Sequence, residues 1–94
     1  METKKLQESM TDKEFDIIDE LYFINTFDVL LEETELDEIV LKTELINLVN
    51  KGWIKCLARV NQEIAFDENT FEQNYRKYHY LATKKGLLAH NGRS

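Results

Sequence analysis

The sequence predicts an α+β domain made of a three-helix bundle, a long C-terminal β-hairpin and a short last helix. The first half of the chain carries apolar residues at helical spacings of three and four, whereas residues 53–82 are rich in aromatic and apolar residues between turn signals. The chain has 94 residues and no proline, so no Pro-rich linker divides it. We therefore expect one domain over residues 11–91, with tails at 1–10 and 92–94.

Two short helices are predicted before the middle of the chain. The first spans about residues 12–23 and begins at Thr11, because Thr11 and Glu14 have the spacing of a capping box. Thr26 offers the N-cap of a second helix over about residues 27–33.

A third helix is predicted from the cap residue Asp37 to about Lys51. Gly52 follows it as a C-terminal stop, where a residue that tolerates positive φ is favoured. The buried face of this helix is a stripe of four apolar residues, Leu41, Leu45, Leu48 and Val49.

The long hairpin is predicted in the second half of the chain. One strand covers residues 53–60, with 64–66 as a candidate extension, and residues 67–70 form a four-residue turn. The second strand returns over residues 71–82. Thr83 then caps the short last helix.

Two motifs lie in an order and spacing that resemble a known superfamily. Three spaced leucines of the third helix precede Gly52-Trp53-Ile54, and Tyr80-Leu81-Ala82-Thr83-Lys84-Lys85-Gly86 closes the hairpin. Together they resemble the winged helix-turn-helix superfamily, as in its small bacterial MarR- and PadR-like domains, although Ala82 stands where that family prefers Leu. The resemblance implies that the third helix enters the DNA major groove and that the hairpin, or wing, contacts the DNA backbone or the minor groove.

The charge distribution argues against that mode of binding. The net charge is -6, with -10 in residues 1–50 and +4 in residues 51–94. DNA-binding domains usually carry a basic face, because neutralising phosphates supplies much of their affinity. Duplex DNA is thus disfavoured by five carboxylates around the start of the third helix, at Glu32, Glu33, Glu35, Asp37 and Glu38.

The residues that could bind nucleic acid form one of two candidate sets. Thr43 and Asn47 on the third helix could contact base edges, and an Asn side chain suits adenine. Phosphates would be held by basic residues of the helix and the wing. The full set is Lys42, Thr43, Asn47, Arg59, Arg76 and Lys77.

The other candidate set is apolar and indicates a protein partner or a homodimer. Apolar residues on the outer face of the third helix are unusual for a helix that faces solvent or DNA. The N-terminal tail or the wing could cover them instead, and this alternative stays open. The candidates are Ile39, Val40 and Ile46 on the helix, and Phe66, Phe71 and Tyr75 on the hairpin.

Chemistry-bearing residues are sparse. Cys56 is the single cysteine and is expected to be a buried apolar residue, and His79 and His90 are too few to form a zinc site. No phosphate-binding glycine loop, signal peptide or membrane-spanning run is visible. We expect a cytoplasmic, non-enzymatic protein with no cofactor, metal, membrane or small-molecule substrate. The leading hypothesis is a protein-binding or self-associating module with transcription regulation as its candidate setting, and the alternative is a DNA-binding regulator.

Overall fold

The computed structural model describes residues 9–59 and 61–93, and the prediction of an α+β domain is confirmed. Val60, Ser94 and most of the tail predicted at residues 1–10 lie outside the described residues. The elements follow one another as α1 (Asp12–Asp19), β1 (Asn25–Thr26), α2 (Phe27–Thr34), α3 (Glu38–Asn50), β2 (Ile54–Arg59), β3 (Gln62–Ile64), α4 (Glu68–Asn74), β4 (His79–Ala82) and α5 (Lys84–Gly92).

The strands form one antiparallel sheet in the order β1-β4-β2-β3. The pairing of β2 with β4 sets Ile54 opposite Ala82 and Cys56 opposite Tyr80. The helices pack on this sheet over a single apolar core. Its largest fully buried side chains are Tyr80, Phe27, Phe71, Ile17, Ile18, Leu21, Leu30, Leu41, Leu45, Leu48 and one carboxylate, Glu14.

The caps read from the sequence are the caps observed. The Thr11 hydroxyl accepts from the Glu14 amide, and the Glu14 carboxylate accepts from the Thr11 amide, which completes the capping box of α1. Thr26 caps α2, and Asp37 caps α3. Gly52, just after α3, has φ +78°, a left-handed conformation that favours glycine.

Helix α1 is shorter than the predicted span of residues 12–23. The Asn25 side chain donates to the Glu20 carbonyl at 2.6 Å, and the Ala82 amide donates to the Leu21 carbonyl at 2.9 Å. These bonds satisfy the Glu20 and Leu21 carbonyls with Asn25 and with the last residue of β4, so the chain leaves the helix and enters the sheet.

The predicted strand over residues 71–82 is wrong in its first half. Asp67 accepts from the Asn69 amide and caps a helix, so residues 67–70, predicted to be a turn, begin α4. Phe71 and Tyr75 are four residues apart, which puts both on one side of a helix. Only His79–Ala82 forms a strand.

The long hairpin is therefore replaced by a short one. The chain reverses after β2 and returns as β3, which covers Gln62–Ile64 rather than the candidate extension at 64–66. The register of this pair shifts between Leu57 and Arg59, as at a β-bulge. Helix α4 then leads to β4, on the other side of β2.

The two sequence motifs meet in space. The Thr83 hydroxyl donates to the Gly52 carbonyl at 2.6 Å and accepts from the Gly86 amide at 3.0 Å, so one side chain caps α5 and fixes the end of α3. The Thr83 amide donates to the Trp53 carbonyl at 2.9 Å. A Cβ at Gly86 would lie 2.0 Å from that carbonyl oxygen, so α5 approaches this closely only without a side chain.

Helix α5 also closes the domain against α1. His90 is 8% exposed, stacks on Phe15 at 4.0 Å between ring centroids and lies 2.8 Å from the Tyr22 hydroxyl through its Nδ1. Arg93 donates to the Thr11 carbonyl and pairs with Asp12. Across the residues that the structure describes, no helix has both the length and the apolar character needed to cross a membrane.

Candidate interaction surface on the third helix

The outer face of α3 carries little charge. The helix turns Leu41, Leu45 and Leu48 into the core, where each is fully buried. A helical repeat therefore directs Ile39, Thr43, Asn47 and Asn50 outward, and all four are exposed. Ile39 is 68% exposed and is the one apolar residue of the four. Val40 and Ile46, the other predicted interface residues of this helix, are half-buried beside it.

Helix α4 lies against α2 and α3 and is anchored by aromatic side chains. Phe71 is 1% exposed and belongs to the core, so in this fold it offers no surface to a partner. Tyr75 packs edge-on against Phe27 of α2, with 4.8 Å between ring centroids. Phe66 is half-buried and contacts Phe71 at 5.4 Å, so it also packs on the core. These three predicted interface residues hold α4 in place.

Arg76, which follows α4, is engaged by two carboxylates. Its guanidinium contacts Glu38 through Nη2 at 2.7 Å and Nε at 3.3 Å, and Asp28 through Nη1 at 2.7 Å. The Tyr75 hydroxyl donates to the same Glu38 carboxylate. The hydrogen bonds from Arg76 and then Tyr75 hold the pKa of Glu38 below its ordinary value, and the Glu38 bond raises the pKa of Arg76. We call Glu38, Asp28, Tyr75 and Arg76 the α4 clasp.

The remaining base near this surface is also engaged. Lys42 of α3 donates to Glu72 of α4 at 2.7 Å, and its ammonium lies 5.1 Å from the centre of the Tyr75 ring. The hydrogen bond to Glu72 raises the pKa of Lys42. Lys42 and Arg76, two of the residues predicted to hold phosphates, are thus paired with acids of their own chain.

Asn47, predicted to contact a base, has a structural partner within the chain. Its side-chain amide donates to Glu14 Oε2 at 2.7 Å, and the Lys51 ammonium approaches the same oxygen at 2.6 Å. Glu14 is 1% exposed, and Lys51 also lies over the Trp53 ring at 4.5 Å. From the sequence, Glu14 was expected only to cap α1. Its position in a capping box, between Lys13 and Phe15, gave no sign of this second role.

The other predicted nucleic-acid residues stay on the surface, with Thr43 on a different element from the two bases. Thr43 is exposed on α3, whereas Arg59 ends β2 and Lys77 precedes β4. Both bases are exposed, and neither forms an ion pair with another residue of the described ranges.

Exposed carboxylates concentrate at the end of α2 and in the turn before α3. One of them, Glu33, extends this negative region towards α1. Partial burial raises the pKa of Glu20, and the nearby charges of Glu33, Asp19 and Asp16 raise it further. Four of the five carboxylates predicted around the start of α3 are exposed, namely Glu32, Glu33, Glu35 and Asp37.

The described residues offer no arrangement for metal or thiol chemistry. No group of three or more His, Cys, Asp or Glu side chains within them could hold a metal ion. Cys56 and His79 lie on neighbouring strands, but Cys56 pairs with Tyr80 and His79 with Leu57, so the two point to opposite faces of the sheet. Burial raises the pKa of the Cys56 thiol to about 12.

No family model, no curated protein and no solved structure matches this chain.

Proposed function

We propose that this chain is a non-enzymatic winged-helix module that acts by binding a protein through the outer face of α3. Support for the winged-helix part comes from the order of its elements, with three helices before the antiparallel pair β2 and β4 and a short helix after it. The contact between the Gly52 and Thr83 motifs also supports it. Transcription regulation is the setting that the resemblance implies.

One observation carries the protein-binding part. Lys42 on α3 and Arg76 beside it, two of the predicted phosphate-binding residues, are held by Glu72, Glu38 and Asp28. Binding a phosphate there would require breaking these pairs, and the carboxylates left behind would repel DNA. Specific DNA binding generally depends on several phosphate contacts, whereas Lys42 and Arg76 on this face already pair with carboxylates.

The proposal is tested with a fluorescent duplex of random sequence in an anisotropy titration at low and at physiological salt. We expect no salt-sensitive binding by the wild-type chain, because the face of α3 repels phosphates. Binding that weakens steeply as salt rises would overturn the proposal, since that dependence is the signature of phosphate contacts.

DNA binding through the sheet is the second candidate. Arg59 and Lys77 favour it, because both are exposed near the same end of the β2–β4 pair and have no acidic partner among the described residues. In this reading, Arg59→Ala with Lys77→Ala weakens DNA binding and lowers the salt slope by about two. Lys84→Ala with Lys85→Ala, at the start of α5, is the matched control. Equal binding by both variants would remove Arg59 and Lys77 from the site.

A further inference from the structure

The outer face of α3 has one exposed apolar side chain near its start, next to several carboxylates. Ile39 is the most exposed of the large aliphatic side chains among the described residues, at 68%. Glu35 and Asp37 precede it in the α2–α3 turn, and Glu32 and Glu33 end the exposed side of α2. A partner that covers Ile39 must therefore sit among carboxylates. An acidic partner would be repelled, and an uncharged one would leave these charges partly desolvated and uncompensated.

The chain itself supplies an example of what binds to this surface. Helix α4 docks on α2 and α3 by inserting Phe71 and Tyr75 and by placing Arg76 between two carboxylates. Arg76 also lies 5.2 Å from the centre of the Phe27 ring. A short helical segment with apolar anchors and a terminal arginine thus pairs with the carboxylates of Asp28 and Glu38. The neighbouring carboxylates of Glu32, Glu33 and Glu35 carry the same negative charge but have no such segment against them among the described residues.

Because both parts of the surface are acidic and α4 shows what binds to one of them, we infer that the partner of α3 is a basic, amphipathic protein segment. This segment places an apolar residue on Ile39 and Lys or Arg side chains against Glu32, Glu33 and Glu35. The inference rests on the proposed function and specifies its partner. Arginine suits such a site because its guanidinium can bond carboxylates at two points and stack on neighbouring side chains.

The experiment is a selection of random linear peptides on the immobilised wild-type chain, with Ile39→Gln used for counter-selection. Ile39 is mostly exposed, so Gln should leave the fold intact, which a circular dichroism melt checks. Peptides that need Ile39 and carry an excess of Lys and Arg around an apolar residue support the inference. Peptides that need Ile39 but are neutral or acidic overturn the inference and leave the proposed function standing. A selection with no Ile39-dependent peptide overturns both.

A charge variant then tests the carboxylates near Ile39 directly. For one selected peptide, Glu33→Gln with Glu35→Gln should weaken the affinity about tenfold, since two attractive charges are lost. Glu63→Gln with Glu68→Gln changes the net charge equally on β3 and on the outside of α4 and should leave the affinity within about twofold. Equal affinities for both variants would overturn the inference.

Sedimentation of wild type and Ile39→Gln separates a second copy from a foreign partner. Equal monomeric masses support a foreign basic segment. A wild-type dimer that Ile39→Gln dissociates would show that a second copy occupies the face, and it would overturn the inference while leaving self-association as the function.

Discussion

Gly86 is the position where α5 passes closest to the chain that enters β2. An added Cβ would lie 2.0 Å from the Trp53 carbonyl oxygen and 2.9 Å from its carbon, and backbone cannot move aside as a flexible side chain could. We expect Gly86→Ala to lower the free energy of unfolding by about 3 kcal/mol, measured by urea denaturation.

The matched control is Gly92→Ala at the end of the same helix. Nothing lies within 4 Å of a Cβ added there, and alanine is the better helix former. This variant should unfold at the same urea concentration as wild type or at a slightly higher one. If both variants behaved alike, the close approach of α5 to Trp53 would be refuted.

Glu14 joins the start of α1 to the end of α3. Its carboxylate is 1% exposed and bonds the Thr11 amide, the Asn47 amide group and the Lys51 ammonium. Removing one member of a buried ion pair leaves its partner's charge poorly compensated. We expect Glu14→Gln to reduce the free energy of unfolding by about 3 kcal/mol, since Lys51 keeps some access to water.

Asp16, two residues further along α1, provides the comparison for Glu14. It is exposed, so Asp16→Asn should change the free energy of unfolding by less than about 0.5 kcal/mol. Both variants remove one negative charge from the same helix, and urea titrations of the two measure the effect of burial alone. A similar small change in both would mean that the Glu14 network contributes little.

At the scale of elements, the boundaries marked by local chemistry were predictable. Thr11, Thr26, Asp37 and Thr83 each cap the helix that the sequence assigned to them, and Gly52 ends α3. These signals depend on one side chain and the three or four residues after it, so they can be read without tertiary information.

Helix α4 was missed because its signals conflict. Asp67 is suited both to a turn and to an N-cap, and the aromatic residues that follow have high strand propensity. The deciding term is tertiary, since only a helix brings Phe71 into the core and Tyr75 onto Phe27 together. The early end of α1 has a similar cause, because the bond from the Ala82 amide to the Leu21 carbonyl depends on a strand far along the chain.

The α4 clasp should make the stability of the protein depend on pH in a defined direction. The folded-state pKa of Glu38 lies below its ordinary value of 4.5, chiefly because Arg76 and Tyr75 bond its ionised form. The clasp therefore contributes stability above that ordinary value and loses it as the pH falls through the folded-state pKa. Arg76→Gln should unfold at lower urea than wild type at neutral pH, and the difference should shrink in acid.

Lys77→Gln is the control for the clasp, because Lys77 is the next residue and has no ion pair within the described ranges. Its difference from wild type should be small and independent of pH between neutral and mildly acidic conditions. A pH-independent effect of Arg76→Gln would show that Arg76 stabilises the fold by packing on Phe27 and not through Glu38.

At the scale of the whole molecule, the fold determines which charged residues pair with each other, and the sequence alone does not show these pairs. The acidic first half and the basic second half were evident from composition. The sequence did not show which bases form ion pairs, because Arg76 meets Asp28 and Glu38 only through the placement of α4. The bond from Asn47 to Glu14 was hidden for the same reason, since the two residues lie 33 positions apart along the chain. Exposure of Ile39 was predictable, because it follows from the helical repeat alone.

The carboxylates at the end of α2 and in the turn before α3 should affect two kinds of ligand in opposite directions. Suppose that Glu33 and Glu35 repel phosphates and attract a basic segment. Then Glu33→Gln with Glu35→Gln should lower the affinity for a basic peptide and raise any residual affinity for duplex DNA. Glu63→Gln with Glu68→Gln changes the net charge by the same amount, and so removes the general effect of charge. Anisotropy titrations of both ligands at one salt concentration measure the contrast. Parallel changes in peptide and DNA affinity would mean that the two ligands do not meet the same charged surface, and the location of the partner on α3 would then be wrong.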